Sequence, residues 1–145
     1  MNLYQHIRDE IVRIVEDLAV SGELPGPLDT ARVAVEPPRE AGHGDITTNA
    51  AMVLSKPTGM KPHDLAAVLA ARLKRVDAVS ETEIAGPGFI NLSLEAGFWH
   101  RQLKEIVETG PTYGDSEMGR GKAVNVEYVS ANPTGPLHVA HARGA

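Results

Sequence analysis

Cysteine is absent from this chain of 145 residues, and aromatic residues are scarce. Without thiols there is no disulfide framework and no thiolate nucleophile or metal ligand. Aromatic side chains make up 4% of the residues, whereas 42% are hydrophobic. A core must therefore be built mainly from Leu, Val, Ile and Ala, and the chain is long enough for one compact domain of that kind.

Long apolar runs are also missing. No stretch approaches the roughly 20 consecutive apolar residues that a membrane-spanning helix needs. The N-terminal stretch MNLYQHIRDEIVRIVEDLAV carries acids among apolar residues at helical spacing, unlike the basic and then apolar pattern of a signal peptide. We therefore expect a cytoplasmic, monomeric protein without a membrane partner.

Positive charge is scarce except in one segment. The net charge is −5, and residues 1–55 and 76–145 hold four and five Lys or Arg against nine acids each. Residues 56–75 reverse this balance, with five cations against one Asp: Lys56, Lys61, Arg72, Lys74 and Arg75. Two interpretations remain open, a solvated helix face or a phosphate-contacting patch on an acidic module.

Apolar spacing and turn residues predict an α+β order. Residues 3–18 repeat apolar side chains every three or four positions, which predicts the first helix. ARVAVEP predicts an edge strand, and Asp45 is expected to cap a helix. Pro62 is placed to open a third helix. Two strands around the turn at 86–88 and a helix over about 95–109 complete a small two-layer domain.

The C-terminal part begins a different pattern. AVNVEYV, residues 123–129, predicts a new strand, SANPTGP a loop, and Pro136 the start of a helix. This is the first unit of a βαβ fold without its continuation. The sequence therefore divides into a domain over 1–110, a Gly-rich linker over 111–122 and a catalytic-type start over 123–145.

GPGFINLSL carries the first candidate site. Ile90, Leu92 and Leu94 alternate with Phe89, Asn91 and Ser93, so an inward aliphatic set turns Phe89 and Asn91 outward together. An exposed ring can stack on an unpaired base while a neighbouring amide reads the base edge. The alternative is that Phe89 covers a neighbouring helix and Asn91 caps a strand edge.

His138 and His141 form the second candidate site. Helical spacing places both on one face of the first turns after Pro136, beside a helix N-terminus that favours anions. Such a pair can donate hydrogen bonds to phosphate oxygens, with Glu127 and Asn132 facing the same sheet edge. The alternatives are a zinc site completed by His43 or Glu127, plain surface histidines, or another nucleotidyl-transferring enzyme.

The string VEYVSANPTGPLHVAHARGA resembles the amino-acid and ATP site of bacterial arginyl-tRNA synthetases, class I enzymes with a HIGH signature. GHGDITTNAAMVLSK and EIAGPGFINLSL resemble the additional N-terminal domain of the same family. The resemblance implies an α-β(2)-α-β(2)-like two-layer domain, followed by the first strand, loop and helix start of a Rossmann-type catalytic domain.

Residue by residue, the resemblance implies that His138 and His141 handle the phosphates of Mg-ATP. Ser130 and Asn132 would lie beside the arginine substrate, and Glu127 would bind its guanidinium, a strongly discriminating contact.

In the N-terminal domain, the resemblance implies that Phe89 and Asn91 contact a base in the D-loop of tRNA(Arg). The segment 56–75 would supply phosphate contacts from Lys61, Arg72, Lys74 and Arg75. No metal ligand is implied, and the expected partners are tRNA(Arg), arginine and ATP.

Two departures from the family pattern matter. Ala140 stands where the signature has glycine, and a Cβ there should obstruct close approach of the adenosine. The family's remaining Rossmann strands, its KMSKS-like loop and its anticodon-binding helices are missing. We therefore expect a part of an arginine–tRNA ligase that is inactive alone, the alternative being a non-catalytic scaffold domain derived from a synthetase.

Overall fold

The computed structural model describes residues 2–40, 42–117, 119–127, 129 and 134–144. These fall into two compact units, Met1–Glu105 and Ile106–Ala145. The predicted division at residue 110, with a linker over 111–122, stays a prediction. The first unit holds all strands of the described residues and the whole apolar core.

The described elements alternate helices with pairs of strands. In chain order they are α1 Leu3–Val20, β1 Val35–Glu36, β2 Ile46–Thr48, α2 Ala50–Thr58, α3 Pro62–Leu73, β3 Val79–Ala85, β4 Phe89–Leu94, α4 Ala96–Thr109, a 3₁₀ turn Gly110–Thr112 and α5 Val139–Gly144. The predicted two-layer α+β class is confirmed for the first unit, because one sheet is covered by helices on one face.

The four strands form one antiparallel sheet in the order β1-β2-β4-β3. β1 is an edge strand, as its flanking prolines Pro37 and Pro38 predict. β3 forms the other edge, with an irregularity in its pairing between Val79 and Glu81. β4 is central, so its backbone is hydrogen-bonded on both sides.

The core lies between the helices and one face of the sheet. From β2 and β4, Ile46, Ile90 and Leu92 are fully buried, and Leu94 is 7% exposed. Helices α1, α2 and α3 supply the facing aliphatic side chains: Ile7, Ile11, Leu18, Leu54, Leu65, Leu69 and Leu73. Each buried aliphatic side chain contributes about 1.5–3 kcal/mol of transfer free energy, so an aliphatic core suffices, as the composition predicts.

A glycine and an aspartate join β2 to β4. The Asp45 N–H donates to the Leu92 carbonyl oxygen at 2.8 Å, and an Asp45 carboxylate oxygen accepts from the Leu94 N–H at 2.8 Å. Gly44, at φ +76°, lies so close that a Cβ would come within 2.6 Å of the Leu92 carbonyl oxygen. Only glycine fits both that backbone conformation and that approach.

The prediction that Asp45 caps a helix is wrong. Asp45 precedes β2, and the residue before α2 is Asn49, whose side-chain oxygen accepts from the Ala34 N–H at 2.8 Å. A three-residue strand is too short to give a period-2 signal. The sequence pattern therefore does not reveal β2 between the turn before it and the helix after it.

The predicted strand over 123–129 is also wrong for its described residues, since none of residues 123–127 and 129 is in a strand. A strand needs a neighbour to satisfy its backbone groups, and every strand that the structure describes belongs to the sheet of the first unit. Val129 has φ +49°, which a β-branched residue in a strand does not adopt. The predicted helix near the C-terminus is present as α5, which starts at Val139 rather than at Pro136.

Gly44→Ala should destabilise the chain by about 3–4 kcal/mol, because it combines a positive-φ penalty with a backbone clash. The control is Gly59→Ala, since Gly59 has φ +69° with no atom within 4 Å of an added Cβ. The control should lose only about 1–2 kcal/mol. Urea denaturation measures both, and equal losses would show that the close approach to Leu92 is unimportant.

Candidate nucleic-acid interface

The sheet face opposite the core is polar. Cross-strand pairing aligns Glu36 with Thr47, Thr47 with Asn91, and Asn91 with Glu83. This row runs across all four strands on the face that the helices leave uncovered. Phe89 lies on the same face, because it is two residues before Asn91 in β4.

Phe89 and Asn91 differ in exposure. The Phe89 side chain is 37% exposed, as its alternation with Ile90 and Leu92 predicts. Asn91 points to the same face, as the alternation predicts, but it is only 5% exposed. It lies on the central strand between Thr47 and Glu83, and the segment after β1 lines the cavity over it.

The side-chain amide of Asn91 has no hydrogen-bond partner within the described part of the chain. No fully buried side-chain polar atom there lacks a partner, so the amide must reach the surface of the cavity that Asn91 lines. That cavity has a volume of about 290 Å³, and its other lining residues include Phe89, Thr47, Arg39 and His43. An amide on a nearly buried residue, with unused hydrogen-bond donors and acceptor beside an aromatic ring, can bind a planar polar group.

A second cavity, of about 540 Å³, adjoins the first and shares Glu36, Arg39, Thr47 and Phe89 with it. It adds Arg32 and Lys56 to the lining. Sequence reasoning missed Arg32 and Arg39 because they lie in an acidic segment, and only the fold brings them beside Phe89. Arg32 lies three residues before β1 and Arg39 three residues after it, and this placement gives no signal in the sequence.

Hydrogen bonds fix the segment that carries Arg32. The Arg8 guanidinium donates to the carbonyl oxygens of Thr30 and Val33, each at 3.2 Å. The Asn49 amide donates to the Arg32 carbonyl oxygen at 3.4 Å. These contacts attach the wall of the second cavity to α1 and to the start of α2.

The predicted cation patch is divided between the two ends of α3. Lys61 directly precedes Pro62, the first residue of the helix. Gly88 lies close to Pro62, since a Cβ added at Gly88 would come within 3.0 Å of it. Lys61 is therefore near the turn that leads into Phe89. Arg72, Lys74 and Arg75 lie at the other end, about 20 Å away at 1.5 Å per residue.

Arg72 is engaged in an ion pair. One of its terminal nitrogens donates to both carboxylate oxygens of Glu23, at 2.7 and 2.8 Å. This hydrogen bond, and a second one from Ser21 at 3.1 Å, lower the pKa of Glu23 below its ordinary value of 4.5. Arg72 therefore ties the end of α3 to the segment that follows α1 as well as carrying charge.

In the second unit, the structure brings His138 and His141 together. Their rings stack with centroids 3.9 Å apart. The Ala140 N–H donates to His138 Nδ1 at 3.3 Å, and the His138 N–H donates to His141 Nδ1 at 3.1 Å. Because Nδ1 accepts in both rings, Nε2 is the nitrogen that each ring can use to donate to an anion.

Of the remaining predicted residues of this site, Glu127 is exposed, whereas Ser130 and Asn132 lie outside the described residues. Within the described ranges, no group of three or more His, Cys, Asp or Glu side chains could hold a metal ion. Among the same residues, no helix is long and apolar enough to cross a membrane.

Comparison with known proteins decides the family. The family model "Arginyl tRNA synthetase N terminal domain" matches residues 2–94. The chain belongs to the arginyl-tRNA synthetase family. Along all 145 residues it is 55% identical to an arginine–tRNA ligase of Parvibaculum lavamentivorans and 57% identical to one of Ruegeria pomeroyi. It spans about a quarter, 25%, of the length of each.

A solved structure agrees with the fold of this N-terminal synthetase part. The Thermus thermophilus arginyl-tRNA synthetase superposes on 98% of the chain with a TM-score of 0.54, at 22% sequence identity, and the match covers 21% of that protein. This similarity supports the mixed α/β architecture with its antiparallel sheet.

Glu23→Gln should make stability less dependent on pH. Because the folded pKa of Glu23 is lowered, its contribution is fully present above the unfolded pKa and is lost as pH falls through the folded pKa. The variant should be less stable than the parent at pH 7, and the difference should vanish below the folded pKa. Thermal unfolding between pH 7 and pH 3 measures this.

The matched control is Glu16→Gln, which removes an exposed carboxylate on α1. It should follow the parent at every pH. A Glu23→Gln deficit that stays constant down to pH 3 would contradict the role given to the Arg72 pair.

Proposed function

We propose that this chain is the tRNA-binding N-terminal part of an arginine–tRNA ligase. It contacts the D-loop of tRNA(Arg) with the open face of its sheet, where an unpaired base stacks on Phe89 and meets the amide of Asn91. The relatives bear the name arginine–tRNA ligase, so the reaction served is the ATP-dependent attachment of arginine to tRNA(Arg). We propose that the ligase acts in the cytoplasm and as a monomer.

The observation that carries this proposal is Asn91, a residue only 5% exposed whose side-chain amide reaches the cavity surface and lacks a hydrogen-bond partner among the described residues. A ligand that enters the cavity can bond this amide, and the half-exposed ring of Phe89 offers its face for stacking. An unpaired base has both the planar surface and the polar edge that these two side chains require.

In the whole ligase, the second unit would contribute to the arginine and ATP sites. His138 and His141 are proposed to donate from Nε2 to phosphate oxygens of Mg-ATP as charge shifts at the α-phosphate. Glu127, Ser130 and Asn132 are proposed to surround the arginine substrate. Ala140 would then narrow the groove beside the adenosine.

Phe89→Ala should weaken binding of tRNA(Arg) by about 1–3 kcal/mol, or roughly 5- to 150-fold, because a stacked base loses its aromatic platform. Phe89→Leu, which keeps apolar bulk without a ring, should also bind more weakly than the parent. Fluorescence titration of the 145-residue chain against an unmodified tRNA(Arg) transcript measures the affinities, and circular dichroism checks the fold.

Tyr4→Ala is the matched control, since Tyr4 is 38% exposed and Phe89 37%. Tyr4 lies on α1, in the layer of helices rather than on the open face of the sheet. The Tyr4→Ala variant should therefore bind tRNA(Arg) like the parent. Asn91→Asp should weaken binding because it replaces two donors with a carboxylate. Equal affinities of Phe89→Ala and the parent would remove the base site, and absence of tRNA binding at every ionic strength would favour a scaffold role.

Residues 1–145 alone should form no arginyl-tRNA, because the chain has one pair of signature histidines and no second phosphate clamp. The measurement is incorporation of radiolabelled arginine into tRNA(Arg) in the presence of Mg-ATP. An arginine–tRNA ligase of full length serves as the positive control. Any product above the no-enzyme level would refute the expectation.

A further inference from the structure

The larger cavity beside Phe89 contains three cations that have no partner in the described part of the chain. Arg32, Arg39 and Lys56 line it, and no hydrogen bond or ion pair within the described residues engages their side chains. Two other cations of the first unit are engaged, Arg8 with two carbonyl oxygens and Arg72 with Glu23. Cations that outnumber the acids around one cavity create a positive local potential.

The charge of this cavity contrasts with that of the chain. Glu36 is the one acid among its lining residues, so three positive charges face one negative charge, whereas the whole chain carries −5. Arg32, Glu36 and Arg39 belong to or flank β1, and Lys56 lies on α2, on the same side as Asn49 and Val53. The fold therefore brings cations from the β1 region and from α2 together around the larger cavity.

The two cavities meet at Phe89 and Arg39. A base that stacks on Phe89 and reaches Asn91 occupies the smaller cavity, where Glu36 and Glu40 outnumber Arg39. In a nucleotide one sugar joins the base to its phosphate, so a phosphate of that nucleotide must lie close to the base. The larger cavity is the adjoining space, and its cations match a phosphate in charge.

We propose that Arg32, Arg39 and Lys56 hold the phosphate adjoining the base that stacks on Phe89. This inference rests on the proposed function, and it makes the two cavities a site for one nucleotide, with the base and the phosphate in separate compartments. Arg39 touches both compartments and so helps to align the sugar between them. The bonds that Asn49 and Arg8 make to the segment 30–34 hold the Arg32 backbone in place before tRNA binds.

Salt dependence separates phosphate contacts from base contacts. Each phosphate that is neutralised contributes about 0.7–0.9 to the slope of log affinity against log salt concentration. The triple variant Arg32→Ala/Arg39→Ala/Lys56→Ala should bind the tRNA(Arg) transcript more weakly and with a slope lower by about 0.7 or more. Phe89→Ala should lower the affinity at every salt concentration and leave the slope unchanged.

Two variants sharpen the comparison. Arg39→Lys keeps the charge and should retain the slope, although it loses the bidentate geometry of a guanidinium. Arg101→Ala removes an exposed cation on α4, away from both cavities, and should match the parent in affinity and slope. Thermal unfolding confirms that each variant is folded at the temperature of the titration.

The results distinguish this inference from the proposed function. An unchanged slope in the triple variant, while Phe89→Ala still weakens binding, would overturn the phosphate assignment and leave the base site standing. Equal affinities of Phe89→Ala and the parent would overturn the base site, and with it the assignment of the cations to the same nucleotide. A reduced slope together with weaker binding by Phe89→Ala supports both.

Discussion

The close approach of Gly44 to the Leu92 carbonyl group is the constraint on which the candidate site depends. It allows Asp45 to bond both Leu92 and Leu94, and these bonds set the register of β2 against β4. That register places Thr47 beside Asn91. A shift by one residue would turn Asn91 toward the aliphatic core and Ile90 or Leu92 toward solvent, so the backbone of this junction determines which side chains a ligand meets.

The two layers of the first unit have separate tasks. The helices bury the aliphatic face of the sheet, and this burial supplies most of the stabilisation. The opposite face carries polar side chains whose bonding capacity is not used up within the described residues. Because stability comes from one face, the other face can keep an unbonded amide in Asn91 and uncompensated cations around Phe89 without loss of the fold.

Much of the fold was accessible from the sequence, but the site only in part. Helix α1 and the β3–β4 pair have strong periodicity and clear turn residues, and the exposure of Phe89 follows from alternation in one strand. The burial of Asn91 depends on β2 and on the segment after β1, which come from 40 or more residues away. Arg32 and Arg39 lie among acids along the chain, so a count of charge by segment hides a cluster that exists only in space.

The sheet order also affects whether two copies of the molecule can pair through an edge strand. β3 is seven residues long and pairs with β4 alone in the described part of the chain, so one edge could extend the sheet with another molecule. Glu81 and Glu83 are both exposed along this edge. A second β3 added there would bring carboxylates next to carboxylates, which repel. The acidity of this strand thus opposes edge-to-edge pairing with another copy.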